Sequence, residues 1–324
     1  MLNRIWRGRA AARRGELADE VALVTGASRG LGLLLARELA RHSCRLIICA
    51  RDGAALGRAA AGLREMGAEV TAVPCDIADE SAPDLLIGSA LDRYGRLDIL
   101  VNNAGIITVG PAQSVTAEDF HHALHTMTLA PVRLTLASLE VMRRQEHGRI
   151  ATITSVGGKV SVPRLLPYSV AKFGEVAFSE GLRAELGAGP VTVTTVVPGL
   201  MRTGSQTHAL FSGAAEREYA WFSVAASLPL LSMDAERAAR RIVAAVRAGK
   251  PEVILTPLAQ IAARGAPAAP GLTGTLLHLT HRLLPAPGGE RRMAEGGELR
   301  PAIDERIFAR LTALGRAADH RFNQ

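Results

Sequence analysis

Short apolar runs that alternate with helical patterns are the feature that most constrains the fold of this chain. The first run, Val21–Thr25, has the character of a buried strand, and an amphipathic helix follows from about Gly30 to His42. The same alternation continues to a last predicted strand at Glu252–Leu255. Repeated strand–helix units require right-handed crossovers, so the pattern predicts a doubly wound α/β fold, a parallel sheet with helices on both faces. Ligands of such sheets bind at the carboxyl ends of the strands.

Five further strands and five further helices are predicted between these ends. The strands are Arg45–Ala50, Glu69–Cys75, Leu97–Asn102, Arg149–Thr154 and Val191–Val197. The helices are Ala54–Met66, Ser81–Tyr94, Ala117–Gln145, Pro167–Leu186 and Ala235–Ala248. The doubly wound unit is therefore expected to occupy residues 17–257, after a basic arm at residues 1–16.

The character of the sequence changes after Pro257. Gly265–Gly274 is rich in Ala, Pro and Gly, which predicts a linker. A later helical pattern places four apolar residues on one stripe: Ile303, Ile307, Leu311 and Leu314. Residues 258–324 are expected to form a C-terminal extension outside the doubly wound core. The stripe is expected to pack on protein, although a membrane-surface helix, a dimer element and a cap over the cavity are the alternatives.

Composition disfavours several functional classes. The formal charge is +7 and the pI is about 10, but aromatic residues are only 4% of the chain and most arginines are scattered, which disfavours nucleic-acid binding. The basic arm could contact an anionic membrane surface, but a solvated tail is the simpler interpretation. Three cysteines without metal-ligand spacing, and no secretory signal, predict a reducing, cytoplasmic location.

The segment T-G-A-S-R-G-L-G, Thr25–Gly32, follows the first predicted strand and opens the first predicted helix. In that position glycines let the backbone approach a pyrophosphate, and the helix N-terminus supplies N–H donors and positive potential. The segment therefore predicts a dinucleotide site, although a purely structural turn would have the same composition. Its candidate binding residues are Gly26, Ser28, Arg29, Gly30, Leu31 and Gly32.

The second predicted strand ends in C-A-R-D, where an acidic residue would bind the ribose 2′-hydroxyl and repel a 2′-phosphate. Here Ala50 ends the strand and Arg51 follows, so that Arg51 and Arg29 offer guanidinium groups for a phosphate. Asp52 could be the acid of an NAD site, but it is better placed as the N-cap of the next helix. The pattern favours NADP (NADPH) over NAD.

Tyr168 and Lys172 form a pair in a chain that has only three tyrosines and three lysines. Four residues apart on a helix, the two side chains share a face. A phenol, with an ordinary pKa of about 10, is a poor acid–base group at neutral pH, but a neighbouring ammonium stabilises its tyrosinate form. Ser155, at the end of a predicted strand, could hydrogen-bond a substrate oxygen as negative charge develops. An exposed Tyr–Lys pair on a surface helix is the alternative.

Taken together, these motifs resemble those of the short-chain dehydrogenase/reductase family over residues 17–257. The matching features are the glycine loop, Asp76 after the third strand, N-N-A-G at 102–105, Ser155, Tyr168 with Lys172, and P-G at 198–199 with Thr203 beyond. The resemblance implies a Rossmann-type fold, a nicotinamide cofactor, interconversion of ketone and alcohol, and a homo-oligomer. It places further residues beside the cofactor: Asp76, Ile77, Asn103, Ala104, Gly105, Tyr168, Lys172, Pro198, Gly199 and Thr203.

The sequence departs from the family pattern in the long helix, where Met127 occupies the position of an asparagine. No asparagine occurs between Asn103 and Asn323, so no shift of register restores it. The family residue bends the helix, and its main-chain carbonyl holds a water that leads to the lysine. Because Pro131 lacks an N–H, it could free the Met127 carbonyl for that water. Alternatively, Pro131 only kinks the helix, and the chain is a cofactor-binding protein with weak or no catalysis.

Two residue clusters remain open in their interpretation. His121, His122 and His125 include an i, i+4 pair, but no acidic partner is placed to complete a metal site, so a solvated face is favoured and no metal is expected. Phe211, Tyr219, Trp221 and Phe222 are four of the twelve aromatic residues. They are either an apolar lid for a bulky carbonyl substrate or ordinary core packing.

Overall fold

A computed structural model describes residues 17–229 and 231–322, so the predicted basic arm lies outside the described residues. The strands are β1 (Val21–Thr25), β2 (Arg45–Ala50), β3 (Val70–Pro74), β4 (Ile99–Asn102), β5 (Thr108–Val109), β6 (Gly148–Ile153), β7 (Val191–Val197), β8 (Leu200–Arg202), β9 (Leu210–Gly213), β10 (Ser232–Asp234), β11 (Glu252–Ile254) and β12 (Glu290–Glu295). The helices are α1 (Gly30–Arg41), α2 (Gly53–Glu65), α3 (Ala82–Tyr94), α4 (Ala117–Leu124), α5 (Ala130–Arg144), α6 (Leu166–Leu186), α7 (Ala215–Ser227), α8 (Ala235–Arg247), α9 (Pro257–Ala268), α10 (Pro270–Leu283), α11 (Glu305–Leu311) and α12 (Ala313–Arg321).

The main sheet has seven strands in the order β11-β7-β6-β4-β1-β2-β3. Every neighbouring pair in it is parallel. The chain builds β1, β2 and β3 towards one edge and then returns to add β4 on the other side of β1, which creates the crevice where ligands of such sheets bind. The predicted doubly wound fold is confirmed. Each predicted strand and helix between Val21 and Leu255 is present, with bounds that differ by at most two residues.

Both faces of the sheet are covered, because alternate residues of a strand point to opposite sides. Ala22 and Val24 of β1 pack in one apolar layer with α1 and α8. Val21 and Leu23 pack in the opposite layer with α3 and α5. This double burial explains why the strands were recognisable as uninterrupted apolar runs rather than as alternating patterns.

The long helix predicted at Ala117–Gln145 is interrupted by a wider π-helical turn at His125–Leu129, between α4 and α5. There the amide of Ala130 donates to the His125 carbonyl, five residues back. Pro131 follows at once and has no N–H to offer Met127 in an α-helical pattern or Thr126 in a π-helical pattern. The proline therefore accounts for the local change in hydrogen bonding, and Met127 is fully buried at this turn.

The C-terminal extension differs from its prediction in three respects. Gly265–Gly274 is not a linker, because α9 and α10 run through it with a break only at Ala269. Alanine favours helix strongly, and Pro270 stands in the first turn of α10, where proline is tolerated. The extension also does not stay outside the core, since β12 pairs antiparallel with β9 and Phe322 joins the apolar layer around α1.

The predicted apolar stripe of the extension is only partly covered by the described protein. Its side chains are exposed to the following extents: Ile303 40%, Ile307 57%, Leu311 41% and Leu314 49%. The buried positions of α11 and α12 are Phe308, Gly315 and Ala318, and Phe322 is buried just after α12. The predicted stripe also does not belong to one helix, because Ile303 precedes α11 and Leu314 lies in α12, after the break at Thr312.

Five strands, β5, β8, β9, β10 and β12, were not predicted. The first four have only two to four residues, which are too few to show a periodicity, and β12 lies in the polar, Gly-rich part of the extension. Among residues 17–229 and 231–322, no helix combines the length and the apolar character needed to span a membrane.

Candidate active site

A single cavity of about 1160 Å³ opens at the carboxyl ends of the central strands. Every site residue predicted from the sequence lines it: Gly26, Ser28, Arg29, Gly30, Leu31, Gly32, Arg51, Asp76, Ile77, Asn103, Ala104, Gly105, Ser155, Tyr168, Lys172, Pro198, Gly199 and Thr203. Residues drawn from most of the length of the doubly wound unit are thus brought to one place.

The glycine loop connects β1 to α1 in a shape that requires glycine at two positions. Gly26 has φ +64°, a left-handed conformation that other residues rarely adopt. A β-carbon at Gly32 would overlap the Gly26 carbonyl oxygen. Asn103, which follows β4, holds this turn in place. Its side-chain Nδ2 donates to the Thr25 and Gly26 carbonyls at 2.9 and 3.2 Å. Asn103 therefore supports the loop as well as lining the cavity.

Arg29 of the glycine loop is held by a contact that sequence reasoning missed. Its Nη1 lies 2.5 Å from Nε2 of His208, and the other ring nitrogen, Nδ1, lies 2.5 Å from Oε1 of Glu295 in β12. A guanidinium can only donate, so Nε2 accepts and Nδ1–H donates to the carboxylate. This chain of contacts connects the glycine loop to the C-terminal extension.

The first amide of α1 also contacts the extension. The N–H of Gly30 donates to the carbonyl of Phe322 at 2.9 Å. The first amides of a helix have no partner within the helix and are usually satisfied from outside it. Here one of them is satisfied by the end of the described chain, a contact for which the sequence carried no local signal.

One arginine and two aspartates line the cavity where β2 and β3 end: Arg51 and Asp52 follow β2, and Asp76 follows β3. Arg51 Nη1 lies 3.9 Å from Asp76 Oδ2, and the two side chains are 62% and 38% exposed. Asp52 caps α2, as predicted, because its Oδ1 accepts from the amide of Ala55 at 2.9 Å. That hydrogen bond lowers the pKa of the Asp52 carboxyl. Asp52 is therefore committed to the helix, and Arg51 is the cation at this end of the cavity, more exposed than its neighbour Asp76.

Ser155 and Tyr168 are neighbours in the cavity. A β-carbon added at Gly157 would lie 3.2 Å from Cε1 of Tyr168 and 3.4 Å from Oγ of Ser155. The phenol ring and the serine hydroxyl therefore both lie beside the same glycine. Ser155 Oγ accepts from the amide of Gly157 at 3.0 Å, which fixes the hydroxyl at the start of a short turn after β6. Tyr168 stands in the first turn of α6, and Nζ of Lys172 lies 5.8 Å from the centre of its ring.

Lys172 is buried, with 4% of its surface exposed. Its Nζ donates to the Ile153 carbonyl at 3.0 Å and to Oε2 of Glu175 at 2.8 Å. Burial alone would lower the pKa of Lys172, but the charges of Glu175 and Tyr168 raise it above its ordinary value, so the group is an ammonium. Glu175 is only 3% exposed, and burial raises its pKa to about 7 against the opposing pull of Lys172.

Met127 reaches the same corner of the cavity from the π-helical turn. A β-carbon added at Gly105 would lie 3.3 Å from Sδ of Met127 and 3.7 Å from Nζ of Lys172. The thioether therefore lies close to the lysine, where the family pattern has an asparagine. A thioether is at best a weak hydrogen-bond acceptor and carries no proton.

The aromatic cluster divides between the two interpretations left open by the sequence. Trp221 and Phe222 of α7 line the cavity. Phe211 is fully buried against Tyr219 and Phe222, and Tyr219 also contacts Phe308 of the extension. Trp221 and Phe222 thus form part of the cavity wall, and Phe211 and Tyr219 belong to the core.

The cavity has a further apolar wall that the sequence did not reveal, built by α9 and α10 in the segment read as linker. Its lining residues there include Leu258, Ile261, Leu272, Leu276 and Leu277. His121 and His122 of α4 and His125 of the π-helical turn do not line the cavity. The rings of His121 and His125 stack 5.9 Å apart. In the described part of the chain, no group of three or more His, Cys, Asp or Glu residues is arranged to hold a metal ion.

Comparison with known proteins agrees with this geometry. The family model described as short chain dehydrogenase matches residues 20–210. Granaticin polyketide synthase putative ketoacyl reductase 1 from Streptomyces violaceoruber is 38% identical over 196 residues, which cover 60% of this chain and 72% of the relative. Dehydrogenase/reductase SDR family member 7B from Bos taurus is 30% identical over 267 residues, which cover 80% of both chains.

Solved structures give the same result. A short-chain dehydrogenase from Streptomyces avermitilis superimposes with a TM-score of 0.70 at 29% identity, covering 82% of this chain and 98% of the other. A variant of actinorhodin polyketide ketoreductase, solved with NADPH, has a TM-score of 0.64 at 29% identity, covering 73% of this chain and 95% of the other. With its parallel sheet, its glycine loop and its serine, tyrosine and lysine in one cavity, the chain belongs to the short-chain dehydrogenase/reductase family of oxidoreductases.

Proposed function

We propose that this protein is an NADPH-dependent reductase of ketones carried on apolar molecules. The observation that carries the proposal is the convergence of Ser155, Tyr168 and Lys172 on a cavity that also contains the glycine loop. Relatives named as ketoacyl reductases and a similar structure solved with NADPH support the same reaction class.

The cavity fits a dinucleotide because its glycine loop leaves no room for side chains and exposes backbone to the ligand. Gly26 to Gly32 would hold the pyrophosphate, Asp76 and Ile77 the adenine, and Asn103 to Gly105 the ribose side. Pro198, Gly199 and Thr203 would face the nicotinamide. When bound, such a cofactor supplies or accepts the hydride.

The preference for NADP rests on charge at the end of β2. Arg51 is exposed in the cavity, and Asp52 is bound to its own helix rather than turned to a ribose. Arg51 would give a 2′-phosphate a guanidinium partner. Arg29, also predicted for this role, already contacts His208, so Arg51 is the principal determinant of the proposal.

The protein groups divide the proton chemistry between them. Tyr168 would donate its phenolic proton to the carbonyl oxygen as that oxygen becomes negative, and Ser155 would hold the same oxygen by a hydrogen bond. Lys172 would stabilise the resulting tyrosinate by its charge and hold the cofactor ribose. In the opposite direction the same tyrosinate would accept the proton of an alcohol.

An apolar substrate is favoured by the walls of the cavity. Trp221, Phe222 and the leucines of α9 and α10 form a large apolar part of its lining. Burying a long apolar group against these side chains would stabilise the complex in proportion to the area removed from water.

Met127 supports a second candidate function, a cofactor-binding protein with weak or no catalysis. Its sulfur lies where a proton-relay group would be useful to Lys172. In the first candidate, the Met127 carbonyl, which cannot accept from Pro131, provides that function through a water. Turnover measurements separate the two, because both proteins would bind NADPH but only a reductase would consume it.

Replacing the phenol tests the reaction itself. Tyr168→Phe is expected to lower kcat for NADPH consumption with a panel of apolar ketones by about 1000-fold, because the proton donor is lost. Binding of NADPH, followed by its fluorescence, is expected to persist. Tyr94→Phe, a change in α3 outside the cavity, is the matched control. Equal turnover in the two variants, or no turnover in the unaltered protein, would reject the proposal.

Reversing the charge at Arg51 tests cofactor preference. Arg51→Asp is expected to change the ratio of kcat/KM for NADPH over NADH by about 10- to 100-fold towards NADH, since a charge-assisted hydrogen bond is lost and a 2′-phosphate is repelled. Arg93→Asp in α3 is the control, because Arg93 is 64% exposed and Arg51 is 62% exposed. An unchanged ratio of kcat/KM for NADPH over NADH in Arg51→Asp would show that residues other than Arg51 determine the cofactor preference.

Restoring an amide beside Met127 tests the carbonyl relay. Pro131→Ala is expected to lower kcat about tenfold, because the new N–H can bond the Met127 carbonyl and remove it from the water. Adding Met127→Asn in the same chain is expected to recover part of the loss. Pro267→Ala, which removes a proline inside α9, is the control. Unchanged turnover in Pro131→Ala would show that the proline only shapes the helix.

A further inference from the structure

The two helices α9 and α10 present an apolar surface outwards. We call it the hairpin surface and define it by six residues with the following exposures: Leu258 54%, Ile261 70%, Leu272 62%, Leu276 54%, Leu279 49% and Leu283 87%. On α10 the four leucines are spaced as one helical stripe, and no residue of that helix is buried. A contiguous exposed apolar surface of this kind marks an interaction site.

The segment that forms the hairpin surface contains basic but no acidic residues, although the buried Glu218 of α7 lies within electrostatic range of His281. Between Pro257 and Leu284 the ionisable residues are Arg264, His278, His281 and Arg282, and the segment contains no acidic residue. All four are exposed. An apolar face with a cationic margin matches the boundary between acyl chains and anionic headgroups in a phospholipid leaflet.

The hairpin surface is continuous with the catalytic cavity. Leu258, Ile261, Leu272 and Leu276 belong to both, since they line the cavity and are also more than half exposed. A bilayer against this surface would therefore cover the outer wall of the cavity. An apolar molecule could then pass from the acyl region to Tyr168 without transfer through water.

A second copy of the chain has other apolar surface available to it. On α5 and α6, helices that do not contribute to the hairpin surface, Leu136 is 50% exposed and Phe173 is 42% exposed. These residues suit the homo-oligomer expected from the family. The hairpin surface, with its cationic margin, is better matched by a lipid than by an equally basic copy of the same chain.

We propose that the hairpin surface binds the surface of an anionic phospholipid bilayer and presents the cavity to it. Binding itself does not depend on the proposed reductase activity. Only the inference that the membrane delivers the substrate rests on that function.

Sedimentation of the full chain with sucrose-loaded vesicles tests this interaction. We expect binding to vesicles of equal parts phosphatidylcholine and phosphatidylglycerol, weaker binding to phosphatidylcholine alone, and partial loss in high salt. Leu279→Glu with Leu283→Glu is expected to reduce the bound fraction at least about tenfold. Neither residue lines the catalytic cavity, so NADPH binding and consumption with a small water-soluble ketone should stay unchanged.

The control is Met66→Glu with Leu85→Glu, which changes two apolar residues of similar exposure, 45% and 47%, elsewhere on the molecule. Equal vesicle binding by this control and by the Leu279/Leu283 variant would overturn the proposal, as would binding that persists in both and disappears only in high salt, which would assign it to the basic arm. A change of oligomeric state in the Leu279/Leu283 variant would also overturn it, in favour of a second copy.

A separate observation concerns Glu175, the buried carboxylate beside the catalytic lysine. Its Oε2 accepts from Lys172 Nζ at 2.8 Å, and the Ile153 carbonyl accepts from the same nitrogen at 3.0 Å. One turn further along α6, Ser179 hydrogen-bonds Thr195 of β7 at 2.8 Å, so this face of the helix is polar where it meets the sheet. Glu175 does not line the cavity, and it therefore acts through Lys172.

The carboxylate has two effects on Lys172. It fixes the position of the ammonium relative to Tyr168, and it opposes the attraction by which the ammonium stabilises a tyrosinate. Lys172 is the charged group in contact with Glu175, and Glu180 and Tyr168 are the next ionisable groups along that helix on either side of the pair. The packed helix α4 and the π-helical turn add His122 and His125, and the facing strands add Ile153 and Thr195, which do not titrate.

We propose that Glu175 is a positioning residue that holds Lys172 and sets the pH range in which Tyr168 exchanges its proton. The proposal rests on the assigned roles of Tyr168 and Lys172. It predicts that a neutral side chain of the same shape leaves the ammonium unopposed. The tyrosinate would then form at lower pH.

Glu175→Gln is expected to move the alkaline limb of the kcat profile to lower pH by about one unit, with little change in KM for the ketone. Glu175→Asp keeps the charge and should keep the profile. Glu180→Gln, in the same helix but 43% exposed and paired with Lys159, is the control. A Glu175→Gln profile lowered equally at every pH, or shifted as far in Glu175→Asp, would overturn the proposal.

A measurement without turnover separates this proposal from the reaction. The chain has three tyrosines, so the difference between phenolate absorbance titrations with and without Tyr168→Phe gives the ionisation of Tyr168 alone. Glu175→Gln should move that ionisation in the same direction as the kcat profile. Failure of the ketone assay with a shifted titration would reject the reductase function only, whereas an unshifted titration in a folded variant would reject the role of Glu175.

Discussion

The buried ammonium of Lys172 is the interaction on which the rest of the site depends. A cation removed from water costs much free energy unless charges or dipoles replace the lost hydration. Here a carbonyl at the end of β6, a carboxylate on the same helix and the face of a phenol surround it. The strand fixes one partner and the helix the other two, so the position of the charge follows from the packing of α6 on the sheet.

The parts that sequence reasoning predicted well are those specified by local physics. Buried parallel strands show as apolar runs, and Gly26 and Gly32 stand where the backbone leaves no alternative. Asp52 was predicted to cap a helix because a short carboxylate at this position can accept from the free amides of the first helical turn. The structure confirms the cap, since Asp52 accepts from the amide of Ala55. Tyr168 and Lys172 could be paired from the sequence because residues four apart lie on the same face of a helix. Ser155 could be placed near them because it follows a parallel strand, and the ligand site of such a sheet lies at the carboxyl ends of its strands.

The parts that escaped prediction depend on contacts between distant residues or on competing local preferences. Gly265–Gly274 has the composition of a linker, yet its alanines continue a helix once Pro270 is placed in a first turn. His208 carries no signal for contact with Arg29, since the two are brought together only by β9 and β12. Glu175 could have been placed on the face of Lys172 by its spacing, but a glutamate in a helix is ordinarily exposed.

The hydrogen bond from Gly30 to Phe322 joins the first helix of the sheet to the last described turn of the chain. Such a contact closes a loop that contains every described strand after β1, and closing so long a loop costs more conformational entropy than closing a short one. During synthesis, the glycine loop is translated long before Phe322, whose carbonyl accepts the hydrogen bond from Gly30. The glycine loop can therefore reach its final hydrogen-bonded shape only after Phe322 has been added to the chain.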